Sequence, residues 1–152
     1  MGVIQLFETL SIKSKSGDYS VEFMPGCLSN FFDLVPKNSV CIVDAGVGEI
    51  LENQFPTIFD NGRILFIDAT ENAKSLERTP SYVHRLMELE FKRGETIVGI
   101  GGGITQDITC FIASTLMRGV AWQYFPTTLL AQCDSCIGSK SSINAGNLKN
   151  II

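Results

Sequence analysis

Apolar and polar residues alternate in the segment TLSIKSKSG from Thr9 and again in YSVEFMPG from Tyr19, with Ser16-Gly17-Asp18 between them. A period of two on both sides of a glycine break predicts an antiparallel hairpin, because alternate side chains of a strand face opposite ways. Cys27 to Val35 then reads as a short helix ended by Pro36. Beyond it the pattern changes to short, continuous apolar runs: Val40 to Val43 closed by Asp44, Ile64 to Ile67 closed by Asp68, Thr96 to Ile100, and Trp122 to Phe125 stopped by Pro126. Runs of that kind are strands buried on both faces.

Helical spacing separates these strands. Pro80 to Phe91 carries Tyr82, Val83, Leu86 and Leu89 on one face and opens on a Thr79-Pro80 N-cap. Ile104 to Met117 places Ile104, Ile108, Phe111, Ile112, Thr115 and Leu116 at i, i+4, i+7, i+8 spacing, and Thr128 to Ile137 continues as a further helix before a polar, glycine-spotted tail. Strands alternating with helices predict an α/β fold: a Rossmann-like parallel sheet flanked by helices, with an N-terminal β-hairpin. Ligands of such sheets sit at the carboxyl ends of the strands, where Asp44, Asp68, Gly101 to Gly103 and Thr127-Thr128 fall.

The 152 residues, 45% of them hydrophobic, have the size of one domain with a real core. A formal charge of -4 offers no basic field to nucleic acid or an anionic membrane, and no run approaches the roughly 18 apolar residues of a membrane span. Neither partner is expected. Five cysteines without framework spacing and an N-terminus lacking a secretion signal point to a reducing, cytoplasmic address. The last residues, Lys149-Asn150-Ile151-Ile152, carry no cap and read as a cut within something longer.

The triple glycine between a strand and a helix leaves backbone N–H groups open to an anion at the helix N-terminus. It is not the common dinucleotide fingerprint. Gly99 and Gly101 have the first spacing of G-x-G-x-x-G, but the sixth position is Ile104 and no suitable carboxylate follows about twenty residues on. Cys133-x-x-Cys136 shares a helical face with Leu129 and Ile137 and reads as buried packing, not a zinc or redox pair. His84, the single histidine, reads as a surface residue. Taken alone, Asp107 in the first turn of its helix, Thr127-Thr128 as caps, Glu71 with Lys74 as a surface pair, and Arg118 at a helix C-terminus have plain structural uses.

Five elements in order change that balance. GGGITQD resembles the GGG-x-x-x-D turn of 3-dehydroquinate synthase and the other sugar phosphate cyclases; MRGVAWQYFPTTLLAQCDS resembles their RG…PTTLL-x-x-x-DS block; IGSKSSIN and LKN resemble GGK-T…N and GKN; and TENAKS resembles GE-x-x-K. The resemblance spans roughly residues 40 to 152 and implies an NAD-dependent carbon-oxygen lyase of aromatic amino acid biosynthesis or a related route. A ring hydroxyl is transiently oxidised, phosphate is eliminated, the ketone is reduced back, and the opened sugar closes by an intramolecular aldol step. It implies a phosphorylated sugar substrate and a homodimer when full length.

Carried over position by position, the resemblance puts Asp44, Glu71 and Lys74 on the adenosine side of NAD, with Gly102, Gly103 and Ile104 along its pyrophosphate. Asp107 would lie toward the nicotinamide, and Thr127, Thr128 and Lys149 beside the cofactor. Asp134 would hold substrate hydroxyls or the nicotinamide end. Lys140 and Asn150 would grip the substrate phosphate, joined by Arg118 of a partner subunit. The family's divalent ion, zinc or cobalt, takes one Glu and two His that would lie beyond Ile152, so residues 1–152 are expected to be the NAD-binding α/β domain without the helical metal-binding one.

Three positions depart from the pattern: Gly138-Ser139-Lys140 replaces Gly-Gly-Lys, Ala145-Gly146-Asn147-Leu148 replaces His-Pro-x-Gly, and Gly46 replaces Asn. They leave the identity of the sugar phosphate open. The rivals are an iron-dependent alcohol dehydrogenase, which shares the GGG…D turn and a Pro-Thr-Thr element, and a non-catalytic nucleotide-binding module. Ile108-Thr109 and Leu129-Leu130-Ala131-Gln132 stand where the dehydrogenase group carries a small residue with Lys and a Thr-Gly-Ser run.

Overall fold

A computed structural model describes residues 8–14, 17–60, 62–137 and 141–152. The chain forms two compact units, Met1–Val35 and Pro36–Ile152. In the first, β1 (Glu8–Ile12) pairs antiparallel with β2 (Tyr19–Phe23), Glu8 opposite Phe23 and Ile12 opposite Tyr19. This is the hairpin that the alternation predicts, although Ser16 of its expected break lies outside the described residues. The expected helix over Cys27 to Val35 is two pieces, a 3-10 turn (Cys27–Asn30) and α1 (Phe31–Leu34). Val35 is already extended, with φ -99° and ψ 145°, as the residue before a proline prefers.

The second unit is built on four parallel strands: β3 (Ser39–Asp44), β4 (Ile64–Ile67), β5 (Thr96–Gly101) and β6 (Ala121–Pro126), in the order β4-β3-β5-β6. Val40 to Val43 of β3 and Ile97 to Gly101 of β5 are buried, so the central pair is apolar on both faces and needs a helix over each. Edge strands need less cover, and Phe66 on β4 and Trp122 on β6 are partly open to solvent. The register sets Asp44 against Ile67 and Gly101 against Pro126, which brings the carboxyl ends of all four strands level. One core joins Val40, Ile42, Leu65, Ile67 and Ile97 to Leu86 and Phe91 below one helix and Ile108 and Ile112 below another.

Between β3 and β4 lies α2 (Ala45–Gln54), a helix that the pattern analysis does not assign. Its two glycines dilute the helical signal, and its start depends on Asp44, whose Oδ1 accepts from the N–H groups of Gly46 at 2.9 Å and Val47 at 3.4 Å. The next helix, α3 (Thr79–Glu88), corrects the expected N-cap. Arg78 holds that place, Pro80 sits in the first turn, and the Thr79 hydroxyl donates back to the Ser75 carbonyl at 3.2 Å. It also ends short of Phe91: Glu90 turns left-handed at φ 55°, and the Phe91 N–H reaches back to the Leu86 carbonyl at 3.0 Å. That closing turn buries Phe91 beside Leu86, which is why the apolar period runs past the helix.

Helix α4 (Gly103–Thr115) gives way to a 3-10 turn (Leu116–Arg118) with Met117 left-handed at φ 50°, so the α-helix does not extend to Met117. The helix expected from Thr128 to Ile137 is shorter, opening at Leu129 and becoming a π-helix over Ala131–Ser135. There the Gln106 amide of α4 donates to the Ser135 carbonyl. The reading of Cys133 and Cys136 as buried packing is corrected too: Cys133 is exposed, Cys136 half-buried, and Leu129 is 78% exposed. No helix of the described residues is long and apolar enough to cross a membrane.

A Cβ on Gly99, in the middle of β5, would stand 2.7 Å from both Thr109 Oγ1 and Tyr124 Cδ2. We expect Gly99→Ala to cost about 1–3 kcal/mol through overpacking between β5, α4 and β6. Urea unfolding reads this as a lower midpoint at unchanged slope; an unchanged midpoint would show that the helix yields freely.

Candidate functional site

The turn from β5 into α4 carries no side chain where a ligand would approach. Gly102 is the N-cap of α4 in extended conformation, with no side-chain hydrogen bond to the first-turn N–H groups. A Cβ there would meet Thr128 Cγ2 at 3.0 Å, and one on Gly103 would meet Ser135 Oγ at 3.6 Å. Gly101 has no room at all, since its Cβ would lie 2.5 Å from Thr105 Oγ1 and 3.1 Å from Asp44 Cβ. Asp44 therefore stands beside the turn, and Thr127 is tied to it by its N–H donating to the Gly101 carbonyl at 2.8 Å.

Two hydroxyls near this turn, Thr105 Oγ1 and Thr127 Oγ1, are buried without a hydrogen-bond partner. Thr128 is the cap of the following helix, its Oγ1 accepting from Ala131 N–H at 3.2 Å. Tyr124 supports the turn from β6 by donating its hydroxyl to the Gly102 carbonyl, and burial pushes that phenol's pKa far up. Free first-turn N–H groups, the positive end of a 13-residue helix and an unspent hydroxyl suit the pyrophosphate of a dinucleotide.

One helical turn further, α4 carries Asp107, the fifth residue of the helix and not a first-turn carboxylate. It belongs to a cluster around the buried Lys74. Lys74 Nζ donates to Asp107 Oδ2 at 3.1 Å and to Asn150 Oδ1 at 2.9 Å, with Glu71 Oε1 at 3.8 Å. Lys74 is 7% exposed, so Glu71 and Lys74 are not an ordinary surface pair; a buried ammonium needs such partners. Burial pushes the Asp107 carboxyl up, and Lys74 partly offsets that. The Asn144 amide, followed by the charges of Lys74 and Lys149, holds the Glu71 carboxyl below its ordinary range.

Asn144 was not singled out from the sequence, although it ends the SSIN element. It is 7% exposed and donates its Nδ2 to Glu71 Oε1 at 2.9 Å and to the Glu71 carbonyl at 3.2 Å. Its Oδ1 accepts from the Asn150 N–H at 2.9 Å. Gln106 and Tyr124 are likewise support residues that no motif marked.

The remaining expected residues are spread more widely. Ile104 is in the first turn of α4, and Asp134 lies on the π-helix. Lys149 is exposed next to Asn150. Lys140 lies outside the described residues. Arg118 follows the opposite end of α4 from Gly102, roughly 20 Å away along a helix of that length. His84 is a surface residue as expected, with Nε2 3.3 Å from Glu88. Among the described residues no three His, Cys, Asp or Glu side chains gather into a group fit for a metal ion.

Residues 64–152 match the family described as 3-dehydroquinate synthase N-terminal. The chain belongs to this family. It is 30% identical to the 3-dehydroquinate synthase of Lactiplantibacillus plantarum over 152 residues, which cover 94% of the chain and 42% of that protein. Among solved structures it resembles 2-deoxy-scyllo-inosose synthase complexed with carbaglucose-6-phosphate, NAD+ and Co2+, with a TM-score of 0.80 and 26% identity over 95% of this chain and 41% of that one. It also resembles 2-epi-5-epi-valiolone synthase from Streptomyces hygroscopicus with NAD+ and Zn2+ bound, with a TM-score of 0.71 and 27% identity over 84% and 38% of the two chains. The chain thus spans less than half the length of each of these three proteins.

The Lys74–Asp107 pair gives a pH test within the family fold. Because Asp107 holds its proton more tightly folded than unfolded, stability falls as pH rises from the ordinary carboxylate value toward its raised folded value. Lys74→Met removes the offset and widens that window. We expect a loss of about 2 kcal/mol near neutral pH, most of it regained in acid where Asp107 is protonated. Equal losses at both pH values in urea unfolding would show that Lys74 acts through packing alone.

Proposed function

We propose that the protein is the NAD-binding part of a sugar phosphate cyclase resembling 3-dehydroquinate synthase, a carbon-oxygen lyase that works in the cytoplasm as a homodimer. The reading is supported above all by α4, which carries an open, Cβ-free turn at its N-terminus and, one turn on, Asp107, paired with the buried Lys74 that also holds Asn150. A pyrophosphate at the turn leaves the cluster within reach of the rest of the same ligand.

Bound NAD supplies a reversible hydride acceptor, so that oxidation and re-reduction leave no net redox change. The chain's residues bind and orient. In this reading Asp44 takes the adenosine ribose, and Gly102, Gly103 and Ile104 present N–H groups to the pyrophosphate. Thr127, Thr128 and Lys149 line the cofactor, and Glu71, Lys74 and Asp107, which meet at the Lys74 ammonium, together hold it at one place. Asp134 orders substrate hydroxyls, while Lys140 and Asn150 hold the phosphate as it leaves. Arg118, remote from Gly102 on its own chain, would serve the site of the partner subunit. The divalent ion, zinc or cobalt, would draw its ligands from residues beyond Ile152.

A side chain on Gly102 has to press on Thr128 or stand in the pyrophosphate path. Gly102→Val is therefore expected to lower NAD affinity at least about tenfold by calorimetry, with circular dichroism unchanged. Full NAD binding by that variant would remove the turn as the cradle. Residues 1–152 alone are expected to bind NAD weakly at best and to release no phosphate from sugar phosphates. In a full-length enzyme carrying these residues, Lys140→Met should abolish phosphate release and spare NAD binding. Net NADH formed from a plain alcohol, indifferent to Lys140, would assign the protein to the dehydrogenases.

A further inference from the structure

Asn144 uses every polar group it has, and uses them on two separate segments. Besides its two bonds to Glu71 and the one from Asn150, its N–H donates to the Lys74 carbonyl at 3.0 Å and its carbonyl accepts from the Leu76 N–H at 2.8 Å. It thereby ties the loop 71–76 to residue 150. Asn150 itself is left-handed at φ 57°, a conformation asparagine takes more readily than most residues. Its side-chain oxygen accepts from Lys74, and the bond from its backbone N–H to Asn144 Oδ1 fixes the backbone from which that side chain projects.

We infer that Asn144 is the positioning residue of this site: it touches no ligand, and the donor–acceptor sense of its amide sets the Lys74–Asp107–Asn150 cluster. The inference rests on the functional reading above for its consequence and on the geometry alone for its cause. Asn144→Asp separates the two. The isosteric carboxylate keeps the acceptor for Asn150 but turns an oxygen toward the Glu71 carboxylate and carbonyl, where a donor is required. The charged groups around that position are Glu71, Lys74, Asp107 and Lys149. A proton taken up between the two facing carboxylates restores the donor, whereas Asn144→Ala has nothing to protonate.

The experiment compares the 152-residue chain with Asn144→Asp and Asn144→Ala at about pH 8 and about pH 5, after melting curves show both variants folded at the working temperature. Without ligand, the Lys74 ammonium protons are followed by nitrogen-15 NMR. They should exchange slowly in the parent, faster in both variants at the higher pH, and in Asn144→Asp alone should return toward the parent at the lower pH. In a full-length enzyme carrying the same substitutions, NAD affinity should follow the same order, with a loss of about tenfold for Asn144→Asp at the higher pH. Parent-like exchange in Asn144→Asp at the higher pH, or equal change in both variants at both pH values, would overturn the inference. The exchange pattern in this chain together with no NAD binding by a full-length enzyme carrying these residues would sink the functional reading and leave the positioning role standing.

Discussion

A parallel strand pair cannot be closed by a tight turn, and that constraint on β3 and β5 governs the rest of the second unit. Each strand is buried on both faces, so the chain leaving it must return over one face as a helix. The returns place α2 after β3 and α4 after β5, both starting at the same end of the sheet. Their N-termini are positive poles that the backbone supplies there. Asp44 spends the α2 pole internally by capping it, while Gly102 leaves the α4 pole open. The chemical difference between the two helix starts is thus one carboxylate against one hydrogen atom.

The cluster beyond that pole follows the same logic of satisfying charge in a buried place. An ammonium as enclosed as Lys74 costs several kcal/mol unless it is paired, and Asp107 alone would leave donors over. Asn150 takes one, with Glu71 close by, and Asn144 fixes where both of those partners stand. The chain contributes these groups from the loop after β4, from α4 and from its last residues, so the cluster forms only when all three are in place. Packing and polar satisfaction here are a single event: Ile143, next to Asn144, is buried, and its N–H donates to the Ile152 carbonyl at 2.9 Å.

Much of this was legible in the residues and some was not. The parallel sheet, the hairpin and the glycine turn could be read because their signals are local: apolar runs, period two, and glycines at a strand end. Helix α2 could not, because AGVGEILENQ has weak propensity and owes its start to a cap contributed by the preceding strand. Phe91 lengthened the apparent α3 because a left-handed closing turn buries an apolar residue in phase with the helix it ends. The family motifs marked Lys74, Asp107 and Asn150 separately and assigned them to different parts of the ligands. Their meeting at one nitrogen atom depends on contacts over 33 and 76 residues of chain, which no motif encodes.

The turn before Lys149-Asn150 shows where this chain parts from the family's common pattern in physical terms. Where the pattern has His-Pro-x-Gly, residues 145 to 148 close on themselves, Ala145 bridging Leu148. Gly146 sits there at φ 56° and donates its N–H to Glu77 Oε1 at 2.8 Å. Proline could do neither, since its ring fixes φ near -65° and it has no N–H to give. The turn therefore follows a path closed to a proline at position 146, secured to Glu77, whose carboxyl its own backbone and the Gly146 N–H hold below the ordinary range. It delivers Asn150 to Lys74 nonetheless. What changes is the loop leading into Lys149 and Asn150, while the turn at Gly102 retains its Cβ-free opening.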